Sequence, residues 1–313
     1  MKFSDLDDFV NNQMDVYHDK HFQQVVISTL IQNGGKATID ELKEQVLKYH
    51  PGHNFDIGHA SIGIITNPVS RKQKSLYDGK TIAKKTGDII EILDYDTYTI
   101  EEKAKLIVDC ILRIKEKKEY LEDSIESVRH MIQHMPELKT DKEEVLKKYG
   151  NMFSLKNIDK LTPEKFLEFL SYENNRHWTV ISRDGGVKIK NMPNLKKSLK
   201  ILVDESIPIE DRIKQMRSKK LLGKATFSAV LLVASQLKHA VVNNIVVGFP
   251  GAFDKLGLIT EKQSKKLEEW EFILLAQKIV EYVAKKRDIL ELEFFVILNF
   301  ALNSLKGPIS FMG

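Results

Sequence analysis

Apolar residues recur at helical spacing from Phe22 to Asn33, and Gly34 and Gly35 then break the period, so a first helix is predicted to end there. Thr38 followed three residues later by Glu41 is a capping-box pattern, which predicts a second helix reaching Tyr49. His50 to Asp56, with Pro51 and Gly52, reads as a loop, and a third short helix is predicted from about Gly58 to Thr66, stopped by Pro68. Beyond it the pattern turns extended. Asp78-Gly79 and Thr86-Gly87-Asp88 are turn signals flanking β-prone segments that end in Ile89 to Leu93.

Helical spacing returns from Thr99 to Met135, with Ile107, Cys110, Ile111 and Ile114 on one face, and Pro136 ends it. Glu137 to Gly150 is strongly charged without a core pattern and reads as a linker. In the C-terminal half, Thr162 suits an N-cap, Pro163 the first helical position, and Leu161 with Phe166 a hydrophobic staple. Further helices are predicted at Asn194 to Val203, Ile209 to Met216, Thr226 to Gln236, Glu261 to Lys286, and Glu291 to Leu305 behind Asp288. The pattern therefore predicts a mainly α chain. Its expected domains are residues 1–97 with an acidic leader, a helical extension over 98–136, a linker over 137–150, and an all-α domain over 151–313.

Composition adds bounds. A chain of 313 residues exceeds the usual single compact domain, which agrees with two. A net charge of +4 is too small to steer the whole chain toward nucleic acid, so any such partner must be met by local lysine clusters. The single cysteine, Cys110, sits in an apolar run and is expected to be a buried structural residue. Aspartates stand where a secretory signal has an apolar core, and the run around Ala229 to Ala234 is too short to span a bilayer. A cytoplasmic protein without membrane contact is expected, with no cofactor.

Three helices followed by a hairpin, over about Phe22 to Leu93, resemble a winged helix. The resemblance implies an α+β domain whose third helix presents His59, Ser61 and Thr66 to a major groove. Arg71, Lys72, Lys74, Lys80, Lys84 and Lys85 would then hold phosphates around the hairpin. A solvated basic surface and a protein-docking unit are the alternatives for the same residues.

In the second half, Lys219, Lys220, Leu221, Leu222 and Gly223 precede Lys224, Ala225, Thr226 and an apolar small-residue helix, with the polar turn at Asn243 and Asn244 following. This order resembles the helix-hairpin-helix of the DNA-glycosylase superfamily. It implies that backbone N–H groups beside Gly223 approach a DNA phosphate, with Lys219, Lys220, Lys224 and Thr226 around it. The family's catalytic lysine position holds Ala225 and its aspartate position holds Asn243, so the resemblance implies binding without base excision. An ordinary buried helix pair is the plain alternative.

The stretch from Leu161 to Leu305 also resembles the specificity region of McrB-like restriction proteins, which implies reading of DNA or a modified base while a partner supplies motor and nuclease. Asn174, Asn175, Arg176, His177 and Trp178 form the densest polar and aromatic cluster and, with Asn243 and Asn244, are the candidate base pocket. Their alternative is a helix C-terminus anchored by Trp178. His50, His53 and His59 invite a metal reading, but their loop contributes no cysteine and only Asp56 as a nearby carboxylate, so no metal is expected. Asp94, Asp96, Glu101, Glu102 and Lys103 echo a nuclease's carboxylates and lysine, but no core strand carries the lysine and a solvated helix face is expected.

The expectation is a DNA-binding, non-catalytic recognition protein of a restriction or defence system, acting on double-stranded DNA with or without a modified base. Two alternatives stand beside it: a divergent glycosylase or lyase using Lys224, and a winged-helix adaptor for protein contacts.

Overall fold

The computed structural model describes residues 1–13, 22–49, 81–134, 137–171, 189–218, 222–236 and 257–286, with single positions between them. In chain order these form α1 (Phe3–Asp8), α2 (Phe22–Gln32), β1 (Lys36–Thr38), α3 (Ile39–Tyr49), β2 (Ala83–Thr86), β3 (Ile89–Ile92), α4 (Ile100–Ile111), α5 (Lys115–His134) and α6 (Glu137–Met152). They continue as α7 (Pro163–Phe169), α8 (Met192–Val203), α9 (Ile209–Ser218), α10 (Lys224–Ala234), α11 (Glu261–Ser264) and α12 (Glu269–Lys286). The chain is mainly helical with one small antiparallel sheet among these residues. No helix among them is long and apolar enough to cross a membrane.

Two compact units divide the chain: Met1–Tyr120 with Leu256–Leu267, and Leu121–Lys255 with Glu268–Gly313. The boundary falls inside α5, not in a charged linker. Residues 137–150, expected as that linker, lie in α6, where Val145, Leu146 and Tyr149 are buried. These buried residues lie in the second half of α6, behind the charge-rich run from Glu137 to Glu144, which is why the pattern reads as solvated. The extension expected over 98–136 is likewise divided, because α4 buries Leu106, Ile107, Val108, Cys110 and Ile111 in the first unit.

In that unit α2 is the centre. Every residue from Gln24 to Asn33 is buried, so α2 is covered on all sides rather than along one stripe. Its C-terminal carbonyls are met from far along the chain. Thr260 Oγ1 donates to Gln32 O at 3.2 Å, and Lys266 Nζ donates to Asn33 O at 2.8 Å, a cation at the negative end of a helix. Lys262 Nζ also pairs with Glu41 on α3. Burial works against the Glu41 charge, but the Lys262 ammonium and the Thr38 backbone N–H together hold its carboxyl below the ordinary value.

These anchors explain why the helix expected over Glu261 to Lys286 is broken into α11 and α12. Docking of 257–267 sets the direction of α11, and Glu268 N donates to Glu271 Oε2 to start α12 afresh. The leader is also packed. Leu6, Phe9 and Val10 are buried, and Asp7 and Asp109 pair with Lys105.

The expected capping box is present: Thr38 N donates to Glu41 Oε2 at 2.7 Å and Glu41 N to Thr38 Oγ1 at 3.3 Å. Between α2 and this cap runs β1, which pairs antiparallel with β3, and β3 pairs with β2 to give the order β1-β3-β2. Gly35, at φ 87°, makes the turn into β1, and a Cβ there would lie 2.6 Å from the Tyr95 ring. Tyr95 is buried and its hydroxyl donates to Ile31 O at 3.2 Å, so the ring cannot step aside without breaking that bond.

The second unit packs α6 against α10, with Tyr149, Phe153, Phe166 and Phe169 in edge-on aromatic contacts beside them. Gly150 permits the approach, since a Cβ there would lie 2.8 Å from Val233 O. The predicted N-cap is observed, with Lys165 N donating to Thr162 Oγ1, and the staple residues Leu161 and Phe166 are buried. At the end of α8, the buried Arg212 guanidinium donates to Leu202 O at 3.0 Å. Burial, with the nearby Arg212 and Lys278 charges, pushes the His239 imidazole down to about 4.

Two predictions follow from this packing. Gly35→Ala should destabilise the first unit by about 2–4 kcal/mol, the combined cost of a left-handed alanine and an overpacked ring, measured by urea denaturation. His239 is neutral when folded and takes its proton on unfolding, so its contribution is complete above about pH 6.5. That contribution, of order 1–3 kcal/mol, should be lost as pH falls to about 4. His239→Gln should flatten this part of the curve of Tm against pH, and an unchanged curve excludes it.

Candidate nucleic-acid interface

Strand alternation sorts the lysines of the β2–β3 hairpin. The register places Lys36, Glu91 and Lys84 in one row across the sheet, and Lys85 opposite Ile90 in the next. Neighbouring residues of a strand face opposite sides, so Lys84 and Lys85 do not share a face. Lys84 Nζ lies 3.1 Å from Glu91 Oε2, which offsets its charge. Lys85 is exposed near the turn at Gly87 and Asp88, and Ile89 is 46% exposed on the outer face. The other residues expected at this surface, His59, Ser61, Thr66, Arg71, Lys72, Lys74 and Lys80, lie outside the described residues.

Around Gly223 the described residues are those that open α10. Gly223 is the N-cap of α10 at φ −71° and ψ 158°, with nothing within 4 Å of where a Cβ would stand. Lys224 Nζ lies 5.8 Å from the centre of the Phe272 ring, a cation–π contact, and Ala225 is half-buried. Thr226 requires correction as a phosphate ligand. Its side chain is 1% exposed, because the third position of α10 turns toward the core.

Further along α10, Ser228 Oγ donates to Ala225 O at 3.2 Å and accepts from Val242 N at 2.9 Å. Val241 and Val242 are buried, so the segment expected as a polar turn begins inside the core. Lys219, Lys220, Asn243 and Asn244 lie outside the described residues, as do Asn174, Asn175, Arg176, His177 and Trp178.

A feature not anticipated lies where α6 runs into α7. There a groove of about 290 Å3 is lined by Lys148, Lys160 and Lys165 with Asn151, Asn157 and Glu168. Lys148 pairs with Glu168, whose hydrogen bond raises the Lys148 ammonium above its ordinary value. Asn157 Nδ2 donates to Asn151 O at 3.0 Å and to Asn151 Oδ1 at 2.9 Å, which ties the loop after α6 to the end of that helix. The signal in sequence was the recurrence of Lys147, Lys148, Lys156, Lys160 and Lys165 around the apolar Tyr149, Phe153, Ile158 and Leu161. Reading 137–150 as a linker hid it.

Cys110, Glu102 and Lys103 of the first unit have structural roles. Cys110 is fully buried and burial pushes its thiol up to about 12, where the nucleophilic thiolate is scarce. Glu102 closes a capping box with Thr99, and Lys103 Nζ sits 5.5 Å from the Tyr95 ring centre. The carboxylate and lysine echo thus resolves into helix capping. Comparison with protein-family models, with curated proteins and with solved structures finds no match for this chain.

Proposed function

We propose that this chain is a DNA-binding recognition protein whose first unit holds the duplex as a winged helix. Its chief support is the sheet order β1-β3-β2, with β1 between α2 and α3 in sequence and the return strand of the hairpin in the middle. A winged helix needs that order, because the short strand between its first helices ties the wing to the helical layer. On this proposal the segment around His59, Ser61 and Thr66 enters the groove, while Arg71, Lys72, Lys74, Lys80 and Lys85 contact phosphates. Lys84 contributes less, since Glu91 already answers its charge.

The second unit contributes a helix-hairpin-helix contact at the open N-cap Gly223, with Lys219, Lys220 and Lys224 nearby. The cluster from Asn174 to Trp178, with Asn243 and Asn244, receives an everted or modified base. Ala225 and Asn243 supply neither the nucleophile nor the acid of base excision, so the protein binds without cutting. A motor or nuclease partner completes a restriction or defence system.

Affinity for a short duplex, measured over a range of salt concentrations, tests the proposal. Log K should fall linearly with log salt, and Lys85→Gln should flatten the slope by about 0.9. Lys84→Gln should flatten it less. Absent or salt-independent binding refutes DNA as the partner and favours the adaptor, for which exposed Ile89 on the hairpin would be the docking residue.

A further inference from the structure

We propose that the groove between α6 and α7 is a phosphate-binding site. The inference deepens the proposed DNA contact of the second unit, although the ligand class rests on the groove itself. Three lysines line it from different elements: Lys148 from α6, Lys160 from the turn before α7, and Lys165 from α7. Glu168 answers Lys148. Asp159, the acid adjoining Lys160, is held by Lys200 at 2.6 Å, while Lys196 donates to its backbone carbonyl at 2.8 Å. Lys160 and Lys165 are exposed and carry no ion pair among the described residues, so the groove keeps a local excess of positive charge.

The neutral groups suit the same ligand. Asn151 Oδ1 is taken by Asn157, which leaves the Asn151 amide group as a donor at the groove wall. A tetrahedral phosphate accepts hydrogen bonds from several directions at once, whereas a carboxylate offers two coplanar oxygens. Donors on three separate elements match the former. A volume of about 290 Å3 is roughly ten water volumes, enough for a phosphate with part of its attached sugar. Lysines act on phosphate as point charges, so the site holds a backbone or terminal phosphate without reading a base.

Phosphate reaches such a groove either as the phosphodiester of a nucleic-acid strand or as the phosphomonoester of a free nucleotide. The test uses the full chain, titrated with inorganic phosphate by calorimetry and with a short duplex across salt concentrations. Lys160→Gln/Lys165→Gln is compared with Lys147→Gln/Lys156→Gln, a pair that is also exposed but does not line the groove. Circular dichroism melting confirms that each variant is folded.

The groove pair should weaken inorganic phosphate binding at least tenfold and lower the duplex salt slope by about 1.8, roughly 0.9 for each lysine, while the outer pair changes phosphate binding little. Phosphate binding without duplex binding would uphold the site, assign it to a free phosphomonoester and refute the DNA reading. Duplex binding and phosphate binding that are both left unchanged by the groove pair would overturn the site and leave the DNA reading standing. Equal losses from both pairs would overturn the site as well, as the mark of a diffuse basic surface. A wild-type chain that binds neither probe would remove both.

Discussion

The first unit is organised by the demand that α2 be covered on every side. A helix buried all round cannot be closed by its sequence neighbours alone, and here the cover comes from β1, α3, α4 and the distant residues 257–267. That last segment brings the hydroxyl and the cation that meet the carbonyls at the end of α2, more than 220 residues away in sequence. Backbone acceptors left unpaired inside a protein cost about 1–3 kcal/mol each, so the long return of the chain replaces a local cap that Gly34 and Gly35 do not provide in full. The N-terminal unit is therefore not closed by residues 1–120. Contacts of such separation are formed late, because the loop entropy must be met before they stabilise anything.

Local chemistry was legible in the sequence, and long-range chemistry was not. Thr38 with Glu41 and Thr162 with Pro163 announced their helices, because a cap is satisfied within four residues. The turn at Gly87 and Asp88 announced the hairpin in the same way. The three-residue β1 carried no periodic signal of its own and exists because β3 lies beside it. The apolar triad Leu6, Phe9 and Val10 was present at helical spacing, but the aspartates among them drew the reading toward an acidic leader. In the break between α11 and α12 no glycine or proline intervenes. Docking overrode propensity there, which sequence periodicity cannot register.

The same division holds for the candidate surface. Clusters of lysine are visible in sequence, but which lysines remain unanswered depends on partners that folding brings together. Strand register gives Glu91 to Lys84, helix packing gives Glu168 to Lys148, and the turn before α7 gives Asp159 to Lys200. Lys84 and Lys85 are adjacent in sequence yet separated by the pleat. Thr226, three residues past a solvent-facing glycine, is buried because α10 is covered on every side from Thr226 to Val233. A net charge of +4 conceals these assignments, since the local excess near Lys160 and Lys165 is set by where the carboxylates go and not by how many there are.

That bookkeeping also bears on the kind of recognition proposed. Lysine ammoniums are hydrated, flexible point charges, and they lack the planar fork with which arginine reads a guanine edge or clasps a phosphate in two places. Contacts made by lysines, by Lys85 in the first unit and by Lys160 and Lys165 in the second, accordingly favour attachment and orientation over discrimination. If the protein distinguishes bases, that selectivity must come from groups of different chemistry, and the chain concentrates those in the run from Asn174 to Trp178 and in Asn243 and Asn244. Carboxamides can pair with a base edge and an indole can stack on a base face, so division of labour between these residues and the lysines is what the chemistry of the two sets permits. Affinity would then vary with salt through the lysines and with base identity through the carboxamides and indole, two dependences that separate because phosphates carry charge without sequence.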